Sequence, residues 1–265
     1  MKLIYEPEGK AREYSPLALN IYNGCSHQCS YCYLRRISKL LSANKPIARK
    51  NIVAELDKQL SKFCPKIQVL LSFVSDIFCD GANITSDVID VLVKYQVPVA
   101  FLTKNKRATN YLEQFKKLND KKVGYTLTFD NNSDSKKYEP GASTPQERID
   151  ALNFLHKNGV STFVSIEPVV YAEQSLEMIK RTINFVDLYK IGKLNGVNPP
   201  KPIDWGNFGL AAIVLLQKYK KEFYIKKDLA EYIPNIREIV SPKNLKQDYY
   251  ILKKTNCGKT QLSFF

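Results

Sequence analysis

Short apolar runs rich in β-branched residues alternate along the chain with segments of helical period. The predicted strands are 17–23, 68–74, 98–103, 122–128, 160–166 and 186–191. The predicted helices lie between them, near 51–63, 84–95, 107–117, 144–158 and 172–184. This alternation is typical of βα units built around a parallel sheet.

The helix near 144–158 has the clearest boundaries. Thr144 is a good N-cap, Pro145 suits the first helical position, and Glu147 supplies the carboxylate of a capping box. Gly159 follows the predicted end of the helix, where glycine often ends one. The pattern therefore fixes this helix to within a residue or two.

Six βα units are too few for a closed eight-stranded barrel. We predict an α/β fold, a partial (βα)6 barrel of the TIM type, with its site at the C-terminal ends of the strands. A doubly wound sheet is the alternative. The core is expected to span 1–203, and 204–265 to form a C-terminal helix and strand extension that packs on it.

The net positive charge of the chain indicates a polyanionic partner. The 265 residues carry a net charge of +14, which favours polyanions and nucleic acid first. In the tail, lysines alternate with aromatic residues, which suits either phosphate contacts with base stacking or an ordinary core strand with solvated lysines. These residues are Lys218, Lys220, Lys221, Lys226, Lys227, Lys243, Lys246, Lys253 and Lys254, with Tyr219, Phe223, Tyr224, Tyr249 and Tyr250.

The sequence contains no apolar run long enough for a signal peptide or a membrane span. We therefore expect a soluble, cytoplasmic protein with no membrane association, and a monomer. Because the cytoplasm is reducing, the six cysteines are not expected to form disulfides.

Three cysteines fall within eight residues, directly after the first predicted strand. Cys25, Cys29 and Cys32 form the pattern C-x3-C-x2-C. Structural zinc favours four ligands in two pairs, and inert cysteines favour core positions rather than a polar loop. Three thiolates suit an iron–sulfur cluster that keeps one iron open to a ligand.

This motif, with Tyr31 before its last cysteine, resembles that of the radical S-adenosylmethionine superfamily. The resemblance implies a [4Fe–4S] cluster bound by the three cysteines, with S-adenosylmethionine bound to the open iron. It also implies reductive cleavage of S-adenosylmethionine to a 5′-deoxyadenosyl radical, and an electron donor such as flavodoxin or ferredoxin. The partial (βα)6 barrel of that superfamily agrees with the pattern of strands and helices.

Several segments resemble one branch, that of spore photoproduct lyase and related repair-like enzymes. They are CSYCYLRR (29–36), SFVSD (72–76), FLTKN (101–105), YEPGASTPQERIDAL (138–152) and SIEPVV (165–170). The resemblance implies that Ser75, Asp76, Lys104 and Thr128 lie near the cofactor. Tyr31 is expected to bind the cofactor, with Tyr31 and Tyr33 packed against the cluster loop and the adenine. Glu167 ends a predicted strand, and we expect it to face the barrel mouth and to bind the cofactor as well.

One departure from that branch concerns the hydrogen donor. Its lyases carry a cysteine two residues before the Ser-Asp pair, where this chain has Phe73. Cys79 is a possible substitute, and Tyr31 and Tyr33 are candidates for a radical relay. Alternatively, Cys79, Tyr31 and Tyr33 only pack in the core or against the cysteine loop. Arg148 and Glu139 are predicted to form a structural ion pair.

We therefore expect a radical enzyme that acts on a nucleic-acid or nucleotide base, in repair or modification. The alternatives are a radical enzyme for a peptide or small metabolite, and a non-catalytic iron–sulfur or zinc protein that binds nucleic acid. The sequence leaves the role of Cys257 open.

Overall fold

The computed structural model describes residues 3–37 and 43–246. Its strands are β1 (Ile4–Tyr5), β2 (Leu17–Leu19), β3 (Tyr22–Asn23), β4 (Ile47–Ala48), β5 (Val69–Leu71), β6 (Val99–Thr103), β7 (Lys121–Thr126), β8 (Thr162–Ile166), β9 (Leu188–Ile191) and β10 (Glu222–Ile225). Its α-helices are α1 (Leu34–Ile37), α2 (Ile52–Lys62), α3 (Thr85–Lys94), α4 (Leu112–Lys117), α5 (Asn132–Tyr138), α6 (Pro145–Lys157), α7 (Ala172–Thr182), α8 (Trp205–Lys218), α9 (Lys227–Ala230) and α10 (Ile236–Ile239). Short 3-10 turns cover Gly9–Ala11, Lys106–Tyr111 and Pro242–Asn244.

One mostly parallel sheet organises the molecule, in the order β1-β2-β5-β6-β7-β8-β9-β10. All neighbouring pairs from β2 to β10 are parallel, and only the edge strand β1 runs antiparallel. This confirms the predicted α/β fold of the partial-barrel type. The tail contributes β10, which extends the sheet beyond the six predicted strands, and the division at residue 203 stays a prediction.

The strands from β5 to β9 are mostly apolar and almost entirely buried, as a sheet covered by helices requires. Helices α2 and α6 show how the cover is made, with Leu56 and Leu60 on one and Leu152 and Leu155 on the other fully inside the core. Helix α6 begins with the predicted capping box, in which Thr144 and Glu147 exchange hydrogen bonds. Because the strands from β2 to β10 in this sheet are parallel, their C-terminal ends meet at one edge of it.

Two predicted elements differ from the structure near that edge. The strand predicted at 17–23 ends at Leu19, because the Asn20 side chain accepts hydrogen bonds from Ser72 Oγ and Phe73 N, both at 2.9 Å. The chain then turns into β3, which pairs with β4 in a separate two-stranded sheet. The helix predicted near 107–117 starts as a 3-10 turn and becomes α-helical only at α4.

Within the described part of the tail, two of the aromatic residues considered for base stacking are buried, whereas Lys218, Tyr219 and Lys220 are exposed. Phe223 and Tyr224 are 4% and 0% exposed although β10 is the last strand of the sheet, because Phe223 packs in the main apolar core and Tyr224 OH donates to the buried Glu13. Lys226 is also buried. Tyr249, Tyr250, Lys253, Lys254 and Cys257 lie outside the described residues.

Among the helices that are described, none is long and apolar enough to cross a membrane.

Candidate active site

A cavity of about 620 Å³ opens at the C-terminal ends of the strands. Its walls come from the polar N-terminal segment, the cysteine loop between β3 and α1, and the segments that follow β5, β6, β8, β9 and β10. The lining residues are Glu8, Lys10, Ala11, Tyr14, Cys25, His27, Gln28, Cys29, Tyr31, Cys32, Tyr33, Leu34, Arg35, Arg36, Ala43, Ser72, Phe73, Val74, Ser75, Asp76, Leu102, Thr103, Lys104, Thr126, Ser165, Glu167, Pro168, Lys193, Leu194, Asn195, Gly196 and Lys226.

The cysteine loop is held from two sides by its backbone. Cys25 N donates to Ala43 O at 2.9 Å, and a side chain at Gly24 (φ +76°) would collide with the same segment. On the other side, Ser30 N donates to Tyr138 O at 2.8 Å. Gly141 packs so closely on the loop that a Cβ there would overlap Ser26 O. The segment from 138 to 141 therefore acts as a support for the cysteine loop.

All three loop cysteines line the cavity as free thiols, with Cys29 buried and the other two partly exposed. Burial raises the pKa of Cys29 to about 12. In the described parts of the chain, no three His, Cys, Asp or Glu side chains converge tightly enough for one metal ion. A cluster does not need such convergence, because each thiolate binds a different iron.

His27 lies inside the loop and was missed as a site residue by the sequence analysis. It is 2% exposed, its Nδ1 lies 3.4 Å from Asp76 Oδ2, and its Nε2 is buried without a partner. Its pKa is the result of opposing effects: burial lowers it, but the Asp76 carboxylate and the Cys25 thiol raise it above the ordinary value. Its position between two cysteines was the signal that could have identified it.

Ser75 and Asp76, predicted near the cofactor, both line the cavity and hold its wall together. Ser75 Oγ donates to Gly24 O at 2.6 Å. The Asp76 carboxylate accepts hydrogen bonds from Thr103 Oγ1 at 2.8 and 2.9 Å and from Lys104 N at 2.8 Å. These bonds tie the ends of β5 and β6 to the cysteine loop.

Lys104, also predicted near the cofactor, extends into the cavity. Its ammonium lies 5.7 Å from the centre of the Tyr31 ring and, in the described part of the chain, has no hydrogen bond or ion pair. Burial alone lowers the pKa of Lys104, but the Cys29 thiol and the Glu139 carboxylate raise it above its ordinary value. A charged lysine without a partner in a cavity is available to bind an anionic group.

Beneath this wall, a buried ion pair supports Tyr31. The Glu139 carboxylate accepts hydrogen bonds from the Tyr31 hydroxyl and from Arg148, which confirms the predicted Arg148–Glu139 pair. Thr128, the fourth residue predicted near the cofactor, is fully buried with its hydroxyl 3.5 Å from Glu139 Oε1. Thr128 is not among the lining residues.

The candidates for radical relay occupy different positions. Tyr33 is 45% exposed at the cavity wall and donates to Phe73 O at 2.8 Å. Burial, with a contribution from Cys32, raises the pKa of Tyr33 to about 12. Cys79 is buried and is not among the lining residues. A hydrogen bond to Cys25 lowers the pKa of Cys79, against the effect of burial.

The opposite end of the cavity is formed by the ends of β8, β9 and β10. Glu167, predicted at the barrel mouth, lines the cavity and accepts hydrogen bonds from Lys226 Nζ at 2.7 and 2.9 Å. Tyr14 OH donates to the same carboxylate at 2.7 Å and shares a 2.7 Å hydrogen bond with Ser165 Oγ. This carboxylate is therefore already neutralised by a cation of the chain.

A second carboxylate lies behind this pair. Glu13 accepts hydrogen bonds from Tyr224 OH at 2.7 Å and Lys227 N at 2.8 Å, and lies 3.8 Å from Lys226 Nζ. Lys190 donates to the Glu13 backbone carbonyl and is fully buried. Burial lowers the pKa of Lys190 well below its ordinary value, and the nearby Lys226 adds to the shift.

The fold and the cysteine site place this chain in a known class: a family model for the radical SAM superfamily matches residues 19–186, and the chain belongs to that superfamily. An uncharacterized protein of Methanocaldococcus jannaschii is 26% identical over 181 residues, which cover 67% of this chain and 70% of that protein.

Two solved structures show the same fold. Spore photoproduct lyase in complex with a dinucleoside spore photoproduct has a TM-score of 0.55 at 18% identity, over 78% of this chain. This chain spans only 62% of the length of that lyase. SuiB of Streptococcus suis, bound to S-adenosylmethionine, has a TM-score of 0.59 at 13% identity, over 82% of this chain and 52% of SuiB.

The cofactors of the superfamily, a [4Fe–4S] cluster and S-adenosylmethionine, fit the chemistry of this cavity. Three free thiols on one loop match a cluster that leaves one iron open. The ammonium of Lys104 lies in the same cavity and has no anionic partner among the described residues. A carboxylate-bearing cofactor would supply one.

Proposed function

We propose that this protein is a radical SAM enzyme that repairs or modifies a nucleic-acid or nucleotide base. Cys25, Cys29 and Cys32 hold the cluster in this proposal, and S-adenosylmethionine occupies the adjoining part of the cavity. This proposal rests on one observation: three free thiols line the same cavity as the ammonium of Lys104, which has no ionic partner among the described residues. When bound and reduced by an external electron donor, the cluster would supply the electron for reductive cleavage of the sulfonium of S-adenosylmethionine.

The side chains around the cluster have separate tasks. Lys104 binds the carboxylate of the methionine part of the cofactor, because it is the unpaired cation at that end of the cavity within the described residues. Asp76 orients Lys104 through its backbone N–H and holds His27 beside the cysteines. Tyr31, fixed by Glu139, gives a flat apolar wall.

The charge of the cavity supports an anionic substrate. Six lysine and arginine side chains line it against three carboxylates. Arg35 and Arg36 at the rim donate to backbone carbonyls and to Gln28, and in the described ranges neither forms an ion pair with a carboxylate. Rim cations of this kind suit phosphate groups. The dinucleoside in the spore photoproduct lyase complex agrees with such a substrate.

The reaction is tested with anaerobically reconstituted, reduced protein. We expect S-adenosylmethionine to be converted to methionine and 5′-deoxyadenosine, and we expect deuterium from labelled oligonucleotides to appear in the 5′-deoxyadenosine. Cleavage without transfer from any DNA or RNA probe would contradict the nucleic-acid substrate. The absence of cleavage by cluster-loaded protein would contradict the enzyme itself.

A further inference from the structure

An aromatic pair stands at one side of the cavity mouth, beside the segment that follows β9. Tyr232 is 48% exposed, and Trp205, the first residue of α8, is partly exposed. Lys193 lies between them, with its Nζ 4.6 Å from the centre of the Tyr232 ring and 5.7 Å from that of Trp205. We name Lys193, Trp205 and Tyr232 the aromatic shelf.

Close packing against α8 fixes the position of the aromatic shelf. Gly206 brings the backbone of Tyr232 so close to α8 that a Cβ at residue 206 would lie 2.8 Å from Tyr232 O. One turn later, a Cβ at Gly209 would overlap the Ile233 side chain. These two glycines hold Tyr232 against the first turn of α8, and Phe208 packs edge-on to Trp205 at 6.3 Å.

The shelf is continuous with the cavity and carries unused positive charge. Lys193 lines the cavity and donates to Tyr232 OH at 3.2 Å, and it has no carboxylate partner in the ranges that the structure describes. Aromatic faces beside a free lysine suit a nucleobase with its phosphate, since every base has a face that stacks and every linkage carries a charge.

We propose that the aromatic shelf binds a single-stranded nucleotide next to the one in the cavity, with its base on Tyr232 and Trp205 and its phosphate on Lys193. This inference rests on the proposed nucleic-acid function and specifies the form of the substrate. A strand that reaches the cavity past the shelf presents an unstacked base to the reacting end.

The chain provides a direct reporter and a matched control. Trp205 is the only tryptophan in the sequence, so quenching of the tryptophan fluorescence reports a base on the shelf. Tyr219 at the other end of α8 is 46% exposed and has Lys218 Nζ 5.7 Å from its ring centre. It repeats the lysine–tyrosine pair away from the cavity, because neither residue lines it.

The experiment titrates the full, cluster-loaded protein with an oligothymidylate, while fluorescence anisotropy of the labelled strand measures total binding. We expect saturable quenching of Trp205, an increase in Kd of about tenfold for Tyr232→Ala, and no change for Tyr219→Ala. Lys193→Gln should reduce the slope of log K against log salt by about 0.7, the effect of one phosphate contact.

The outcomes separate this inference from the proposed function. Binding by anisotropy without quenching, or an equal loss in Tyr219→Ala, would overturn the shelf and leave the substrate class standing. The absence of binding by any oligonucleotide would overturn both. Equal affinity for thymidine monophosphate would also overturn the shelf as a strand site and assign it to a free nucleotide.

Discussion

The two ends of the cavity use charge in opposite ways. At the β5 and β6 end, three thiols are free, the Lys104 ammonium has no ionic partner among the described residues, and His27 Nε2 is buried without a hydrogen bond. At the β8 to β10 end, Lys226 is neutralised by Glu167 at 2.7 Å and by Glu13 at 3.8 Å.

This difference separates binding groups from structural ones. A buried polar group without a partner is costly, so its retention in a cavity suggests that a ligand completes it. A buried charge that is already paired is a poor ligand-binding group, because a ligand would first have to break the ion pair. We therefore assign cofactor binding to the first end and the rigid far wall to the second.

The largest expected effect comes from the cysteines. Replacement of Cys25, Cys29 or Cys32 by alanine should abolish cluster binding, measured as iron and sulfide per protein after reconstitution, because three thiolates are the minimum set. Cys64 is also free but lies outside the cavity, so Cys64→Ala should keep its full cluster content. A cluster of normal content in any of the three variants would contradict the assignment.

The second largest effect is expected on stability, at the β8 to β10 end of the cavity, where Lys226 is paired with two carboxylates. Lys226→Met leaves Glu167 and Glu13 without their cation, and the free energy of unfolding should decrease by about 3–5 kcal/mol in urea titrations. Lys94→Met, which breaks an exposed pair with Asp57, is the control and should leave the free energy of unfolding nearly unchanged. Equal effects would show that the far wall is not held by this ion pair.

The support under Tyr31 should give a pH-dependent effect. Arg148 and Lys104 lower the pKa of Glu139 against the effect of burial. The folded-state pKa thus lies below that of the unfolded chain, so the stabilisation is complete above the unfolded pKa and is lost as the pH falls through the folded pKa.

Glu139→Gln should therefore lower the free energy of unfolding by about 3 kcal/mol at neutral pH, and the difference should shrink in acid. Glu113→Gln, in the exposed pair with Lys116, is the matched control and should leave the free energy of unfolding nearly unchanged at either pH. A difference that does not depend on pH would contradict the role given to the carboxylate charge.

The smallest effect on folding is expected at Lys104, whose ammonium makes no hydrogen bond within the described residues. Lys104→Met should cost less free energy of unfolding than Glu139→Gln, because it removes only the Coulomb attraction of Lys104 for Glu139 and no hydrogen bond of the described residues. It should weaken S-adenosylmethionine binding by about 1.5–3 kcal/mol, the value of a hydrogen bond to a charged group. Equilibrium dialysis measures this, with Lys106→Gln as the control, and unchanged affinity would contradict the comparison of the two ends.

Local signals in the sequence predicted much of the fold. The Thr144 capping box, the strand patterns and the cysteine spacing each act over a few residues, so one sequence is enough to identify them. The break after Leu19 was missed because its cause is a contact between Asn20 and residues 72–73, which are distant in the chain.

The far wall could not be predicted for the same reason. Tyr14 lies in a polar segment without a repeating pattern, and its partners come from β8 and from the residue that follows β10. Lys226 could have been identified as a strand-end residue if β10 had been assigned to the sheet. It was instead grouped with the lysines of the tail, which were expected either to contact phosphates or to be solvated.

The central claim is that the end with unpaired groups holds a cluster whose open iron takes S-adenosylmethionine. The most direct measurement is the electron paramagnetic resonance spectrum of the reduced, cluster-loaded protein before and after addition of the cofactor. We predict that S-adenosylmethionine shifts the g-values of the cluster, and that the Lys104→Met variant needs a higher cofactor concentration for the same shift. An unchanged spectrum at saturating S-adenosylmethionine would contradict the account.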